Sequence, residues 1–117
     1  MTLDALRTFA LSLPHATEDQ PFGPDVLTFK VGGKLFAVTD LSDAAPSVAV
    51  KAAPEAVVDL RERYAGAERP SHFHPAHWVA LRLAADLPAD IVREAVAASH
   101  ALVVAGLTRA RRAALGG

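Results

Sequence analysis

Two adjacent glycines, Gly32 and Gly33, sit between two apolar runs rich in Val, Phe and Leu, Val26 to Val31 and Leu35 to Val38. A two-residue hairpin loop asks its central residues for positive φ, which glycine adopts without steric cost. The spacing therefore predicts an antiparallel hairpin, and the rest of the chain must be arranged around a sheet that contains it. Just upstream, Glu18-Asp19-Gln20-Pro21-Phe22-Gly23-Pro24-Asp25 makes residues 15 to 25 a polar, proline-rich loop. Pro21 and Pro24 restrict the backbone on both sides of Gly23, and Phe22 offers a large apolar group expected to anchor the loop in the core beneath the sheet.

Periodicity supplies the other elements. Thr2 is placed to N-cap a first helix, with Asp4 in its first turn, Leu3, Leu6, Ala10 and Leu13 along one face, and Pro14 as its stop. Ser47 to Lys51 predicts a third strand. Pro54 at N1, Glu55 in the first turn, and Val57, Leu60 and Tyr64 on one face give a second helix that Gly66 is expected to terminate. Ser71-His72-Phe73 reads as a short strand broken by Pro75. Trp78 to Leu83 reads as a longer one, with Val79, Leu81 and Leu83 towards the core. A last helix starts near Pro88 and carries Ile91, Val92, Ala95, Ala98, Leu102 and Val103 towards Leu107. The order is α-β-β-β-α-β-β-α: an α+β two-layer sandwich, with three helices on one face of a five-stranded antiparallel sheet.

At 117 residues this is one domain, taken as 1–107, followed by a basic tail, 108–117. The chain has no cysteine, which excludes disulfides and thiolate metal sites. No apolar stretch approaches the roughly 20 residues of a membrane span, and the N-terminus lacks a leader pattern, so a cytoplasmic protein without a membrane partner is expected. Net charge is −1; Arg109, Arg111 and Arg112 contribute +3, which leaves −4 on residues 1 to 107. That charge argues against a domain held to nucleic acid by bulk electrostatics, and the clear basic cluster is the tail.

Several groups of residues are candidates for chemistry. His72, His74 and His77 would present three imidazoles to zinc if the chain turned at Pro75; the alternative is a loop whose histidines bond backbone and pack on Trp78. Gly32-Gly33-Lys34 lies between strands rather than between a strand and a helix, which excludes a phosphate loop of the nucleotide-triphosphatase kind. Lys30 and Lys34 flank the turn and, with Lys51, Arg109, Arg111 and Arg112, are the candidate phosphate contacts. The bland reading of the arginines is stabilisation of a helix C-terminus. Phe22, His72, His77 and Trp78 are candidates for a cleft in which Trp78 stacks on a planar ligand. Ser71-His72 and Ser99-His100 are sequence neighbours and so point apart, and Glu18-Asp19, Asp40 and Asp43 lie in polar loops. No enzyme and no cofactor is implied.

The proline-glycine loop, the Gly-Gly hairpin, Pro70-Ser71-His72, His77-Trp78 and the closing Ser99-His100-Ala101-Leu102-Val103 stand in an order that resembles the MmcQ/YjbR family, from Leu13-Pro14 to about Leu107. The resemblance implies a fold similar to secretion chaperones and frataxin-like domains. It also implies DNA binding, with two hairpins likened to a double wing. An interaction module for a peptide or small molecule is the alternative partner class that this fold implies. Two features depart from the family pattern: the segment after Trp78 is the apolar Val79-Ala80-Leu81, and His74-Pro75-Ala76 replaces lysines often found between the two histidines.

Overall fold

The computed structural model describes residues 1–116. The hairpin at Gly32-Gly33 is formed as expected: β2 (Val26–Val31) turns into β3 (Lys34–Asp40), with φ of +59° and +78° at the two glycines. A Cβ on Gly32 would also lie 2.7 Å from a Leu107 methyl, so the turn is packed as well as bent. β4 (Ser47–Lys51) adds to β3, and β6 (Trp78–Arg82) adds to β4, all antiparallel.

With β1 (Thr17–Asp19) and β5 (Ala67–Glu68), the sheet has six strands, in the order β1-β2-β3-β4-β6-β5, where five were expected. Both additional strands are short edges. β1 comes from the segment read as loop, and β5 follows the second helix. Neither carries an apolar alternation long enough to be seen in sequence. Residues 71–73, expected as a strand, form bends without a ladder partner.

Strand alternation sorts the side chains. Phe29, Val31, Val48, Val50, Val79 and Leu81 are buried in one core with Leu6, Ala10 and Leu83. The other sheet face carries Val38, Ala49 and Ala80 side by side, and one step further Lys51 opposite Trp78. α3 (Ala89–Ala105) lies across β2, β3 and β4, α1 (Leu3–Ser12) packs on α3, and α2 (Pro54–Arg63) packs beside β5 and β6. Thr2 caps α1 by accepting the Ala5 amide, and Pro54 opens α2, both as expected.

Three details correct the sequence reading. α3 buries Val92, Val96, Ser99 and Val103, whereas Ala98 and Leu102 are exposed, so its inward face is rotated from the stripe expected. α2 ends at Arg63, ahead of Gly66; that glycine is buried where a Cβ would lie 2.6 Å from the Ala85 Cβ, so close approach is what it serves. Residues 109–114 are a separate helix, α4 (Arg109–Ala114), capped by Thr108, whose hydroxyl accepts the Arg111 amide.

Candidate anion-binding cleft

β3 and β4 separate before they end. Their ladder stops at Ala37↔Val50, and at the next step the Ser99 hydroxyl of α3 stands between them, donating to the Phe36 carbonyl at 2.6 Å and accepting from the Lys51 amide at 2.9 Å. On the other side of β3 the register with β2 jumps from Phe29↔Ala37 to Lys30↔Leu35, leaving Phe36 as an extra residue. A bulge of this kind bends and twists its strand. β3 runs on to Lys34 without a β4 partner beyond Ala37, and the buried Val103 and the exposed Gly106 at the α3 end line the opening.

The result is an open cleft of about 510 Å³, lined on one side by Lys30, Lys34 and Leu35 and on the other by Lys51 and Trp78, with Phe22 at its rim. Three lysines from three strands thus meet at one site, and no carboxylate is among the lining residues described. Lys30 is engaged: its ammonium lies 3.1 Å from Asp19 Oδ2. The Asp19 carboxyl is held below the usual carboxylate range, first by the Thr28 hydroxyl and then by Lys30. Among the described residues, Lys34 and Lys51 have no ion-pair partner.

The arginines are placed less freely than a tail implies. Arg111 Nη1 donates to the Gly32 carbonyl at 2.9 Å, which brings its guanidinium against the hairpin turn next to Lys34. Arg112 donates to the Ala105 carbonyl at 3.0 Å and so sits on the carbonyl end of α3, where a cation offsets the negative end of the helix dipole. Arg109 is exposed and makes no hydrogen bond or ion pair among the described residues. The opposite end of the same hairpin is acidic, with Asp25, Asp40 and Asp43; Arg82 there is taken up by Glu68 and Asp43. The protein is therefore electrically polarised along β2 and β3, although its net charge is −1.

The aromatic candidates divide. Phe22 does not anchor the loop in the core: it is 70% exposed. The loop is held instead by polar bonds, Gly23 N to Gln20 O at 3.2 Å and Gln20 Nε2 to Pro24 O at 2.9 Å, with Gly23 at φ +106°. Trp78 is fixed by Phe73, stacked on it with ring centroids 4.4 Å apart and an interplanar angle of 25°. His72 lies elsewhere, lining a cavity over Val38 and Ala80 with Phe73. His74 uses Nδ1 to accept the Ala76 amide at 3.1 Å, and its ring is 5.1 Å from that of His77. Among the described residues no group of three His, Cys, Asp or Glu side chains is placed to hold a metal ion, so the three-imidazole arrangement does not form. No helix of the described residues is long and apolar enough to cross a membrane.

Ser99 is the residue that sequence reasoning did not single out for this site. Val92, Val96, Ser99 and Val103 recur at helical spacing, and a serine inside such a stripe is a buried hydroxyl in need of partners.

Comparison with known proteins identifies a family and a shared fold. A family model described as YjbR matches residues 11–102. The uncharacterised protein YbdF of Escherichia coli is 26% identical over 106 residues, covering 91% of this chain and 87% of YbdF. The uncharacterised protein YjbR of Escherichia coli is 27% identical over 112 residues, covering 96% and 95%. A crystal structure of a Deinococcus radiodurans protein with the domain DUF419 superposes with a TM-score of 0.89 at 33% identity, covering 98% of this chain and 88% of the other. A Pseudomonas syringae protein shares the fold, with a TM-score of 0.76 at 21% identity over 87% of this chain and 98% of its own.

Proposed function

The chain belongs to the YjbR family, and from that premise we propose that it is a small non-enzymatic DNA-binding protein of the cytoplasm, gripping phosphates with the basic turn end of its sheet. The observation that carries this reading is the meeting of Lys30, Lys34 and Lys51 at one cleft, where Lys30 is paired with Asp19 and Lys34 and Lys51 have no ion-pair partner among the described residues. Arg111 adds a fourth cation at the hairpin turn. Arg112 and Arg109 belong to the same end, one offsetting the α3 terminus and the other exposed.

A chain with net charge −1 is not drawn to DNA as a whole. Its grip must be local and weak, made of a few phosphate contacts that position the protein without reading sequence. Titration of a labelled duplex at two salt concentrations tests this. Binding at micromolar protein in low salt is expected, with a log–log salt slope of about −3 for three phosphate contacts, from Lys34, Lys51 and Arg111, at about −0.9 each. No binding in low salt, or binding that persists unchanged as salt rises, is incompatible with the reading.

A further inference from the structure

The cleft contains more than phosphate contacts require, and we propose that it is a site for one unpaired nucleotide, with the base against Phe22 and Trp78 and the phosphate on Lys34 and Lys51. This rests on the DNA-binding reading and narrows it. The aromatic rings are the first reason. Contacts to a duplex backbone use cations and hydrogen-bond donors, and the bases inside a duplex are stacked on one another. A ring at the rim gains nothing from such a partner, yet Phe22 is held outward, 70% exposed, on a loop tied by its own hydrogen bonds. On the far wall, Phe73 is stacked on Trp78 and fixes the indole before any ligand arrives. Two preset aromatic groups beside free ammonium groups are the composition of sites that stack single bases and hold their phosphates.

Shape is the second reason. The cleft is concave, about 510 Å³, within the range of small-molecule sites, and it exists because Ser99 and the Phe36 bulge part β3 from β4. A duplex surface is convex and meets only the rim of such a cleft. Charge is the third. Lys30 is spent on Asp19, which leaves Lys34 and Lys51 for one phosphate group, and Arg112 offsets the carbonyl end of α3 that would otherwise repel an anion here. The same chemistry is offered by a free mononucleotide and by an unpaired nucleotide within a strand.

Trp78 is the single tryptophan of the sequence, so its fluorescence reports on this site alone. Wild-type protein and Phe22→Ala are titrated with a thymidine decamer, thymidine monophosphate, inorganic phosphate and a labelled duplex. Stacking of one base on an aromatic side chain is worth about five- to 150-fold in affinity. The decamer is therefore expected to quench Trp78 and to bind at least about fivefold more tightly than the duplex. Phe22→Ala, a change at an exposed side chain, is expected to lose about fivefold or more on the decamer with no change on the duplex. Inorganic phosphate competes without quenching. Quenching by the monophosphate with no binding of either strand form supports the site and removes the DNA reading. Duplex binding with the expected salt slope but no quenching by any nucleotide overturns this inference alone. Equal affinity of wild type and Phe22→Ala for the decamer also overturns it. Absence of any binding overturns both readings.

Discussion

The Ser99 hydroxyl accepts the Lys51 amide at 2.9 Å, at the step where β4 leaves β3. The same hydroxyl donates to the Phe36 carbonyl, so one buried side chain replaces a rung of the ladder and keeps two strands apart. Lys34 on β3 and Lys51 on β4 line the cleft beside that separation.

Ser99→Ala leaves both backbone groups without their partner. An unsatisfied buried polar group costs about 1 to 3 kcal/mol, so a loss of about 2 to 4 kcal/mol is expected in urea unfolding. A loss below about 0.5 kcal/mol would mean that the strands close on each other or that water replaces the hydroxyl at no cost.

The phosphate contacts are separable by salt. Lys34→Ala and Lys51→Ala are each expected to weaken duplex binding whatever its sequence and to make the salt slope shallower by about 1. Arg61→Ala, on the exposed side of α2, is expected to leave both quantities unchanged. Equal effects from all three would point to diffuse charge rather than this cleft.

Gly32→Ala tests the hairpin tip. A side chain at φ +59° is strained by about 1 to 2 kcal/mol, and its Cβ would meet Leu107. Thermal melting should show a loss at least that large. DNA affinity should fall as well, because the Gly32 carbonyl positions Arg111.

Acid should destabilise the fold. Asp86 accepts the Gly66 and Ala65 amides, Asp19 accepts from Thr28 and Lys30, and Glu18 pairs with Arg7; each carboxyl is thereby held below its usual range. A carboxyl depressed in the folded state stabilises it above the unfolded value, about pH 4, and that stabilisation is lost as pH falls through the folded value. Melting temperature should be flat above about pH 5 and fall below about pH 4, less steeply in Asp86→Asn. An Asp86→Asn curve as steep as wild type would show that this carboxylate is not linked to folding.

How far the sequence could be read depended on how local each cause is. The hairpin was legible because Gly32-Gly33 and its flanking runs are a short-range signal. The edge strands β1 and β5 were not, because two or three residues carry no period. Lys30, Lys34, Lys51, Phe22 and Trp78 were identifiable one by one as candidate contacts. Their convergence was not, since it depends on a strand separation caused by a serine about 50 residues from Lys51. Phe22 was misread for a general reason: the hydrophobic effect favours burial of a lone aromatic, and only the loop's polar bonds show that it is held out. The arginines were read by charge, but two of them bond carbonyls, which charge alone does not reveal.

The most direct measurement is an amide NMR titration with duplex and single-stranded DNA at low salt. Perturbations are expected at Lys30, Gly33, Lys34, Lys51 and Gly106 and at the Trp78 indole, with the acidic end at Asp25, Asp40 and Asp43 silent. Perturbations centred on that acidic end or on α2, or none at millimolar DNA, would contradict the assignment of this cleft as the phosphate-binding site.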